Sequence, residues 1–179
     1  TGGVAGPVAA LEPVADRALV LVAWSASKTF THYGLRVGAL VGLVPDAAAR
    51  AEISAALTYA CRGTWSNCNR GGMTAVTRLL TDPALRSAVD GERAGLVRVL
   101  AARVEAFNAA AARHGLRHPR YDGGFFTTVF SDDAEAAAVR MKADGVFVVP
   151  IEGALRLGIC AVPKGDVARL VESEAKATR

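Results

Sequence analysis

The chain has 179 residues, of which 51% are hydrophobic and 21% charged, and its 21 basic and 17 acidic residues give a net charge of +4. This composition predicts a soluble globular protein. The basic residues are scattered without a Lys/Arg block, which argues against a nucleic-acid-binding protein. No stretch reaches the roughly 18–20 apolar residues that cross a bilayer, and no secretory signal opens the chain. We therefore expect a cytoplasmic protein without a nucleic-acid or membrane partner.

Cysteine and histidine usage gives no signature of a metal site or of a disulfide framework. The three cysteines are an odd number without a Cys-x-x-Cys pair, and the three histidines do not cluster with carboxylates at a metal-ligand spacing. These residues are Cys61, Cys68, Cys160, His32, His114 and His118. We therefore expect a protein that holds no metal.

The first predicted elements are two strands followed by two helices. Apolar runs at residues 18–24 and 37–44 predict buried strands, and glycines in the second run allow another backbone to approach closely. Asp46 is expected to cap an alanine-rich helix over residues 47–62. A shorter helix is expected over residues 72–80. This half of the chain therefore predicts an α/β arrangement.

The longest periodic element is a helix predicted over residues 84–114, where apolar residues recur at helical spacing. The Thr-Asp-Pro sequence at residues 81–83 is expected to cap its start. Gly91 and Gly95 weaken its first part, so that a kink or an interruption is expected there. Gly115 supplies the stop signal at its end.

Beyond the long helix the pattern changes to short β and α units. Strands are predicted over residues 125–130, 146–150 and 155–162, and helices over residues 132–144 and 164–177. These elements predict an α+β module at the far end of the long helix. We expect the chain to divide inside that helix, into a first domain of residues 1–95 and a second of residues 96–179.

The most informative segment is residues 25–38, which read SASKTFTHYGLRVG and follow the first predicted strand. A lysine amine forms a Schiff base with an aldehyde cofactor, and Lys28 offers one at the end of the strand. Ser25 and Arg36 offer a hydroxyl and a guanidinium, which bind a phosphate ester. One cofactor carries both an aldehyde and a phosphate, namely pyridoxal 5′-phosphate (PLP).

This segment resembles the cofactor-lysine segment of fold-type I PLP enzymes, and among them the class I aminotransferases related to aspartate and aromatic aminotransferases. In that family the pattern is Ser-x-x-Lys followed by Tyr-Gly-x-Arg-x-Gly, with the separations found here. The resemblance implies that Lys28 holds the cofactor and later moves a proton between the substrate Cα and the cofactor C4′. It implies that Ser25 and Arg36 bind the phosphate, while Tyr33 and Gly38 shape the turn.

A second candidate is Arg156, the one arginine among apolar residues in the predicted strand at residues 155–162. Burying an unpaired guanidinium is costly, so we expect this arginine to meet an anion. The segment resembles the family's Gly-Arg-hydrophobic-x-hydrophobic-Ala strand, whose arginine binds the substrate α-carboxylate. The alternative is an ordinary arginine on an edge strand.

A third candidate is Arg62, four residues before the Ser-Asn pair at residues 66–67. In dicarboxylate-specific members of the family, an arginine at this spacing crosses the dimer interface and binds the substrate's side-chain carboxylate. Trp65 stands where the family usually has tyrosine, and Cys68 and Asn69 stand where it has prolines. The alternative for Arg62 is a helix-terminal arginine that interacts with the helix dipole.

The start of the chain predicts that it is part of a longer protein. Residues 1–7 read as a loop entered midway, without an initiator methionine. In the class I aminotransferases the cofactor lysine lies well past the middle of the chain, whereas only 27 residues precede Lys28. The family's aspartate that pairs with the pyridinium nitrogen, and the aromatic residue that stacks on the cofactor ring, lie further upstream. We therefore expect a C-terminal portion that has little or no activity by itself.

The resemblance implies the C-terminal part of a PLP-transferase fold: the end of a large α/β cofactor domain, a long connecting helix and a small α+β domain. The function implied is that of a homodimeric PLP-dependent aminotransferase acting on an amino acid, aromatic or dicarboxylic, and a 2-oxo acid. Two alternatives stay open. One is another reaction on the same cofactor and fold, such as a C–S β-lyase, and the other is the aminotransferase-like sensing domain of a transcription regulator.

Overall fold

The computed structural model describes residues 5–178, and the chain divides into a first unit that ends at Val89 and a second that begins at Asp90. The elements of the first unit are, in chain order, α1 (Ala5–Ala15), β1 (Val20–Ser25), α2 (Ala26–Thr29), β2 (Gly38–Leu43), α3 (Ala47–Thr64), α4 (Arg70–Thr81) and the start of α5 (Pro83–His114). Strands β1 and β2 form a two-stranded antiparallel sheet. Its register places Ser25 opposite Gly38, so the segment between the strands starts and ends at neighbouring positions.

Short polar side chains begin three helices of this unit. Asp46 Oδ1 accepts a hydrogen bond from Ala49 N at 2.7 Å, which confirms the predicted cap of α3. Asp82 Oδ1 accepts from two backbone N–H groups in the first turn of α5, at 2.9 and 3.1 Å. Asn69 caps α4, and that helix therefore begins two residues before the start expected from the sequence at residue 72.

The two strands of the first unit are largely exposed, so the expectation that both are buried is wrong. Alternate residues of β1 are half buried and the others exposed, whereas β2 is exposed along nearly its whole length. The physical reason is that two strands alone cannot cover both faces of a sheet. The loop expected over residues 1–7 falls partly outside the described residues, at residues 1–4, and from Ala5 onward the chain is helical.

The second unit consists of a three-stranded sheet with helices packed on one face. Its elements are the remainder of α5, β3 (Thr127–Phe130), α6 (Ala134–Ala143), β4 (Val149–Ile151), β5 (Ala154–Leu157) and α7 (Val167–Ala177). The strand order is β3-β5-β4 and both pairings are antiparallel. The core contains, among others, Phe107, Val129, Met141, Leu155, Leu157 and Val171. Strand β5 is therefore the central strand of the sheet, and the residues on its inward face pack against the helices.

Helix α5 runs without interruption through Gly91 and Gly95, so the interruption expected there does not occur. The helix ends where the sequence predicts, because Gly115 adopts a φ of +66°. Leu116 N then donates to Ala111 O at 3.0 Å, and Gly115 N donates to the carbonyl of residue 112 at 3.3 Å. This is a Schellman arrangement, which requires a left-handed residue just past the helix.

The strand expected over residues 155–162 is shorter than predicted. Strand β5 ends at Leu157, and Ile159–Ala161 form a 3₁₀ turn. Gly158 N-caps that turn with a φ of −91° and a ψ of +74°, which is not strand geometry. Among the described helices, none is long and apolar enough to cross a membrane.

Candidate functional site

Lys28 lies on α2, the short helix that directly follows β1. Ser25 ends the strand and its Oγ accepts a hydrogen bond from Ser27 N at 3.2 Å, which starts the helix. Ala26 N donates to Val37 O at 3.0 Å. This bond joins the start of α2 to the far end of the segment, so the loop between the strands is closed at its base.

An apolar cluster fixes the inner side of this loop. Ala26, Phe30 and Val37 are buried together with Val76 of α4. The rings of Trp24 and Phe30 pack edge to face, with centroids 6.1 Å apart. Because the apolar side chains occupy the inner side, Lys28 is left exposed on the outer side of the loop.

Close packing explains two of the glycines at this loop. A Cβ on Gly38 would lie 2.7 Å from Trp24 O, a backbone atom that cannot move aside cheaply. A Cβ on Gly72 would lie 2.4 Å from Val37 Cγ2. The side chain of Asn69, which departs from the family's prolines, accepts from Gly72 N and donates to Leu35 O at 3.2 Å. The start of α4 is therefore fastened directly to the loop.

Arg36 turns back over the loop toward Lys28. Its backbone is left-handed, with a φ of +52° and a ψ of +46°. Its Nη1 donates to Tyr33 O at 2.9 Å and approaches Ser27 Oγ at 3.4 Å. Ser27 is buried, whereas Lys28 and Arg36 are exposed. The structure therefore brings the serines, the lysine and the arginine together within one short loop.

Tyr33 lies beneath both cations of this group. The Lys28 Nζ is 4.2 Å from the centroid of the Tyr33 ring, and the Arg36 Cζ is 5.2 Å from it. Both distances fall within the range of a cation–π interaction. Sequence reasoning assigned Tyr33 to the shape of the turn and did not single out Ser27. The only available signal was their presence in the same 14-residue run.

The residues of the loop fit the two reactive ends of PLP. A guanidinium has five N–H donors, and Arg36 directs one nitrogen to its own loop while the side chain stays exposed. The Ser27 hydroxyl lies beside it, and Ser25 Oγ accepts from Ser27 N; hydroxyls and a guanidinium are groups that suit a phosphate. The exposed amine of Lys28 suits an aldehyde. The roles expected for Ser25, Lys28 and Arg36 stay predictions.

Arg62 lies in the last turn of α3 and binds to its own C-terminal loop. Its Nη1 donates to Ser66 O at 3.1 Å and to Ser66 Oγ at 2.9 Å. Ser66 has a φ of +67°, a conformation that residues other than glycine rarely adopt. Both residues line an open cleft of about 690 Å³ between β2 and α3. The contacts of Arg62 are thus those of a helix-end arginine, while its predicted role toward a substrate stays a prediction.

Arg156 lies in the second unit, on the outward face of the central strand β5. Its cross-strand neighbours are Thr128 and Val149, and its guanidinium carbon is 5.0 Å from the ring centroid of Phe126. The expectation of a buried guanidinium is wrong, because the side chain is exposed while its neighbours at 155 and 157 point into the core. The edge-strand alternative is also wrong, since β5 is paired on both sides.

The remaining polar groups give no sign of a metal centre. Within residues 5–178 no cluster of three or more His, Cys, Asp or Glu side chains could hold a metal ion. All three cysteines are free. The candidate chemistry of this chain therefore rests on Lys28, its serine and arginine neighbours, and the two further arginines at positions 62 and 156.

Comparison with known proteins identifies the class to which this fold and site belong. The family model described as aminotransferase class I and II matches residues 1–173, so the chain belongs to this family. The resemblance inferred from residues 25–38 is thereby confirmed. Members of the family are generally PLP-dependent. A search of curated proteins found no match.

Solved structures of aminotransferases resemble this chain. It is 30% identical to an aminotransferase from Anaerococcus prevotii DSM 20548, with a TM-score of 0.85 over 90% of this chain and 39% of that one. It is 27% identical to an aromatic amino acid aminotransferase from Burkholderia cenocepacia J2315, with a TM-score of 0.76 over 97% of this chain and 42% of that one. A putative aspartate aminotransferase from Leishmania major Friedlin shares the fold at 19% identity and a TM-score of 0.73, over 90% of this chain and 40% of that one.

These matches confirm the expected fold class. The chain is a mixed helix-and-sheet segment of the aminotransferase fold, and it spans about two fifths of the length of the structures that it matches. The long helix α5 and the short strands beyond it correspond to the architecture expected from the sequence. The domain boundary expected between residues 95 and 96 stays a prediction. The two compact units divide earlier along the same helix, at Val89.

Proposed function

We propose that this chain is the C-terminal portion of a PLP-dependent aminotransferase, which moves an amino group between an amino acid and a 2-oxo acid. The observation that carries the proposal is the convergence of the Lys28 amine and the Arg36 guanidinium over one tyrosine ring, beside Ser25 and Ser27. Membership of the class I and II aminotransferases supports it.

The cofactor, when bound, supplies an aldehyde that reacts with amines and a ring that withdraws electrons from the substrate Cα. Lys28 would hold the cofactor through Nζ. Arg36 and Ser25 would bind its phosphate, because a guanidinium fork and a hydroxyl donate to phosphate oxygens in fixed directions. The closed base of the loop holds these groups in place, since Ala26 N is bonded to Val37 O.

Lys28 would have a second task, as the general acid–base residue of the site. Its amine would take the proton from the substrate Cα and return it at the C4′ position of the cofactor. An exposed lysine on a rigid turn suits this task, because its flexible stem lets Nζ reach two neighbouring carbon atoms. Nothing else in the loop offers an amine at this position.

Arg156 binds the α-carboxylate of the substrate. Its guanidinium is exposed on the outward face of β5 and lies over the ring of Phe126, which restricts its orientation while leaving N–H donors for a carboxylate. The best substrates are aromatic or dicarboxylic amino acids. The aromatic choice is supported by the name of the Burkholderia relative, and Arg62 supports the dicarboxylic one.

The protein acts as a homodimer in the cytoplasm, and in it Arg62 reaches the side-chain carboxylate of a dicarboxylic substrate across the dimer interface. The three free cysteines are in keeping with a reducing compartment. Expressed by itself, the 179-residue chain is expected to lack turnover. The pyridinium-pairing aspartate and the ring-stacking aromatic residue would come from the longer protein.

A half-reaction tests this function in the longer protein that carries the segment. An aromatic or acidic amino acid is added to the cofactor-loaded protein without any 2-oxo acid. An aminotransferase leaves the amino group on the cofactor in a 1:1 ratio and releases the matching 2-oxo acid, both of which mass spectrometry measures. Release of ammonia and pyruvate from a cysteine conjugate, without that transfer, would instead establish a β-lyase and overturn the proposal.

A further inference from the structure

Tyr33 is a large aromatic residue that the core does not require. Its side chain belongs to neither apolar cluster of the chain, and 64% of the residue is exposed. It opens a short 3₁₀ turn, Tyr33–Leu35, at the tip of the loop between β1 and β2. At such a tip an aromatic ring gains little stabilisation from burial, so the contacts of Tyr33 must explain why a ring is present there.

Those contacts are two cations on one ring. The Lys28 Nζ and the Arg36 Cζ lie 4.2 and 5.2 Å from the ring centroid. The negative quadrupole of the ring face attracts both cations. The backbone of Tyr33 adds a second hold on the arginine, because its carbonyl accepts from Arg36 Nη1 at 2.9 Å.

We infer that Tyr33 is a positioning residue, which holds the Lys28 amine and the Arg36 guanidinium at a fixed separation so that one ligand meets both. The inference rests on the proposed function, which supplies a ligand with an aldehyde at one end and a phosphate at the other. Tyr33 acts through the ring, not through the hydroxyl. Removing the hydroxyl therefore leaves the arrangement intact. Removing the ring releases Lys28 and leaves Arg36 with its bonds to Tyr33 O and Ser27 Oγ alone, so the separation of the two cations is no longer fixed.

The geometry itself is tested by NMR on the chain without any ligand. A ring 4.2 Å from Lys28 Nζ shifts the lysine Hε resonances upfield through its ring current. The shift is expected to persist in Tyr33→Phe and to vanish in Tyr33→Leu. Tyr59→Leu is the matched control, because Tyr59 is 83% exposed on α3 and outside the loop. Unshifted Lys28 resonances in the unmodified chain would overturn the inference.

The consequence for the ligand is tested in the longer protein that carries the segment, by labelling with limiting PLP, followed by borohydride reduction and peptide mapping. The chain has four lysines, so Lys142, Lys164 and Lys176 measure non-specific reaction in the same sample. Loss of one exposed cation–π contact corresponds to about a two- to fivefold change. We expect Tyr33→Leu to lower the Lys28 share of the label by about that factor, and Tyr33→Phe to restore it to the level of the unmodified chain.

The two ways to fail are distinct. If the label in the unmodified longer protein is not concentrated on Lys28, the proposed function fails, while the NMR shift still decides whether Tyr33 holds both cations. If the label is concentrated on Lys28 and Tyr33→Leu does not reduce it, the inference fails and the proposed function stands. A merely structural role for Tyr33 would lower the melting temperature of Tyr33→Phe and Tyr33→Leu alike without separating their labelling.

Discussion

The two units of the chain accommodate unfavourable local structure in different ways. In the first unit, positive φ occurs at Thr31, Arg36 and Ser66, none of which is glycine. Among the described residues of the second unit, positive φ is confined to Gly115, Gly124, Gly145 and Gly153, which adopt it without steric cost. Backbone strain thus lies beside the candidate cofactor residues, whereas the backbone around Arg156 is relaxed.

The second unit carries an electrostatic cost in its core instead. Glu174, on the inner face of α7, is fully buried, and neither of its carboxylate oxygens has a hydrogen-bond partner among the described residues. Burial raises the pKa of this carboxyl from 4.5 to about 8. At neutral pH the folded unit therefore keeps Glu174 protonated, a state that the unfolded chain does not favour.

The two candidate arginines, one in each unit, are held in place in different ways. Arg36 is held by bonds to its sequence neighbours, to Tyr33 O and toward Ser27 Oγ, and these bonds maintain a strained backbone of the kind found at functional sites. Arg156 is held by the regular register of a central strand. The position of Arg36 therefore depends on the loop alone, and the position of Arg156 depends on the sheet.

The largest effect is expected from Lys28→Ala in the longer protein. Because the variant loses both the covalent attachment and the proton carrier, kcat/KM is expected to fall by at least about 10²- to 10⁴-fold, the range of general acid–base catalysis alone. Steady-state kinetics measures the change, and Lys142→Ala on α6 is the control. Near-normal activity in Lys28→Ala would mean that the strained loop does not carry the chemistry.

The next largest effect is a pH dependence of stability that belongs to the second unit. Since the pKa of Glu174 is raised in the folded state, the folded chain binds more protons than the unfolded chain between pH 4.5 and about 8. Stability is therefore greatest below that window and falls as pH rises through it, by up to about 1.4 kcal/mol per pH unit. Glu174→Gln is expected to flatten this slope.

Chemical denaturation at about pH 5 and about pH 8 measures the slope, with amide exchange of α7 as the probe of the second unit. Glu172→Gln is the matched control on the same helix, because Glu172 is exposed and bonded to Lys176. The assignment to Glu174 is contradicted if its Gln variant loses stability with pH as steeply as the unmodified chain does.

The proximity of the candidate cofactor residues was predictable from the sequence, because the loop that carries them closes on itself. Its candidate groups lie within 12 residues, and the strand register returns Gly38 to Ser25, so linear spacing nearly determines proximity. Helix ends were predictable for a similar reason. Asp46 and Gly115 act on backbone groups three to five positions away.

What the sequence did not predict depends on partners distant along the chain. Whether an apolar strand is buried depends on the layers that cover it, so the apolar runs of β1 and β2 predict burial that this chain does not show. The outward direction of Arg156 depends on which face of β5 meets the helices, and an alternating strand does not reveal this. The contact of Tyr33 with Arg36 occurs with a left-handed backbone at Arg36, which its residue type does not favour.

The substitution Arg156→Lys tests the candidate carboxylate-binding arginine on strand β5. A lysine keeps the charge but loses the planar fork that grips a carboxylate through two hydrogen bonds. We expect kcat/KM for the amino acid to fall by about 10- to 100-fold, the cost of a charged hydrogen bond, with PLP affinity unchanged. Arg120→Lys, an exposed arginine of the same unit, is the control. An equal loss of PLP affinity would show that the two arginines do not have separate tasks.

The smallest effect tests the strain in the loop itself. Thr31 is β-branched and has a φ of +56°, which costs about 1–2 kcal/mol relative to an ordinary conformation. Glycine removes that cost, but its greater conformational freedom stabilises the unfolded chain by about 0.5–1 kcal/mol. The hydrogen bond from Thr31 Oγ1 to Phe30 O is also lost. We therefore expect Thr31→Gly to raise the free energy of unfolding by about 0.5 kcal/mol.

The matched control is Thr29→Gly, two residues away at the end of α2 and without positive φ. There glycine relieves no strain and lowers stability by about 0.5–1 kcal/mol. Fluorescence of Trp24, which packs against the apolar cluster that contains Ala26 and Phe30, follows the unfolding of both variants. The two substitutions are expected to act in opposite directions, because only one of them removes a steric conflict. If both destabilise the chain equally, the positive φ of Thr31 carries no strain, and the contrast between the two units would then rest on Arg36 and Ser66.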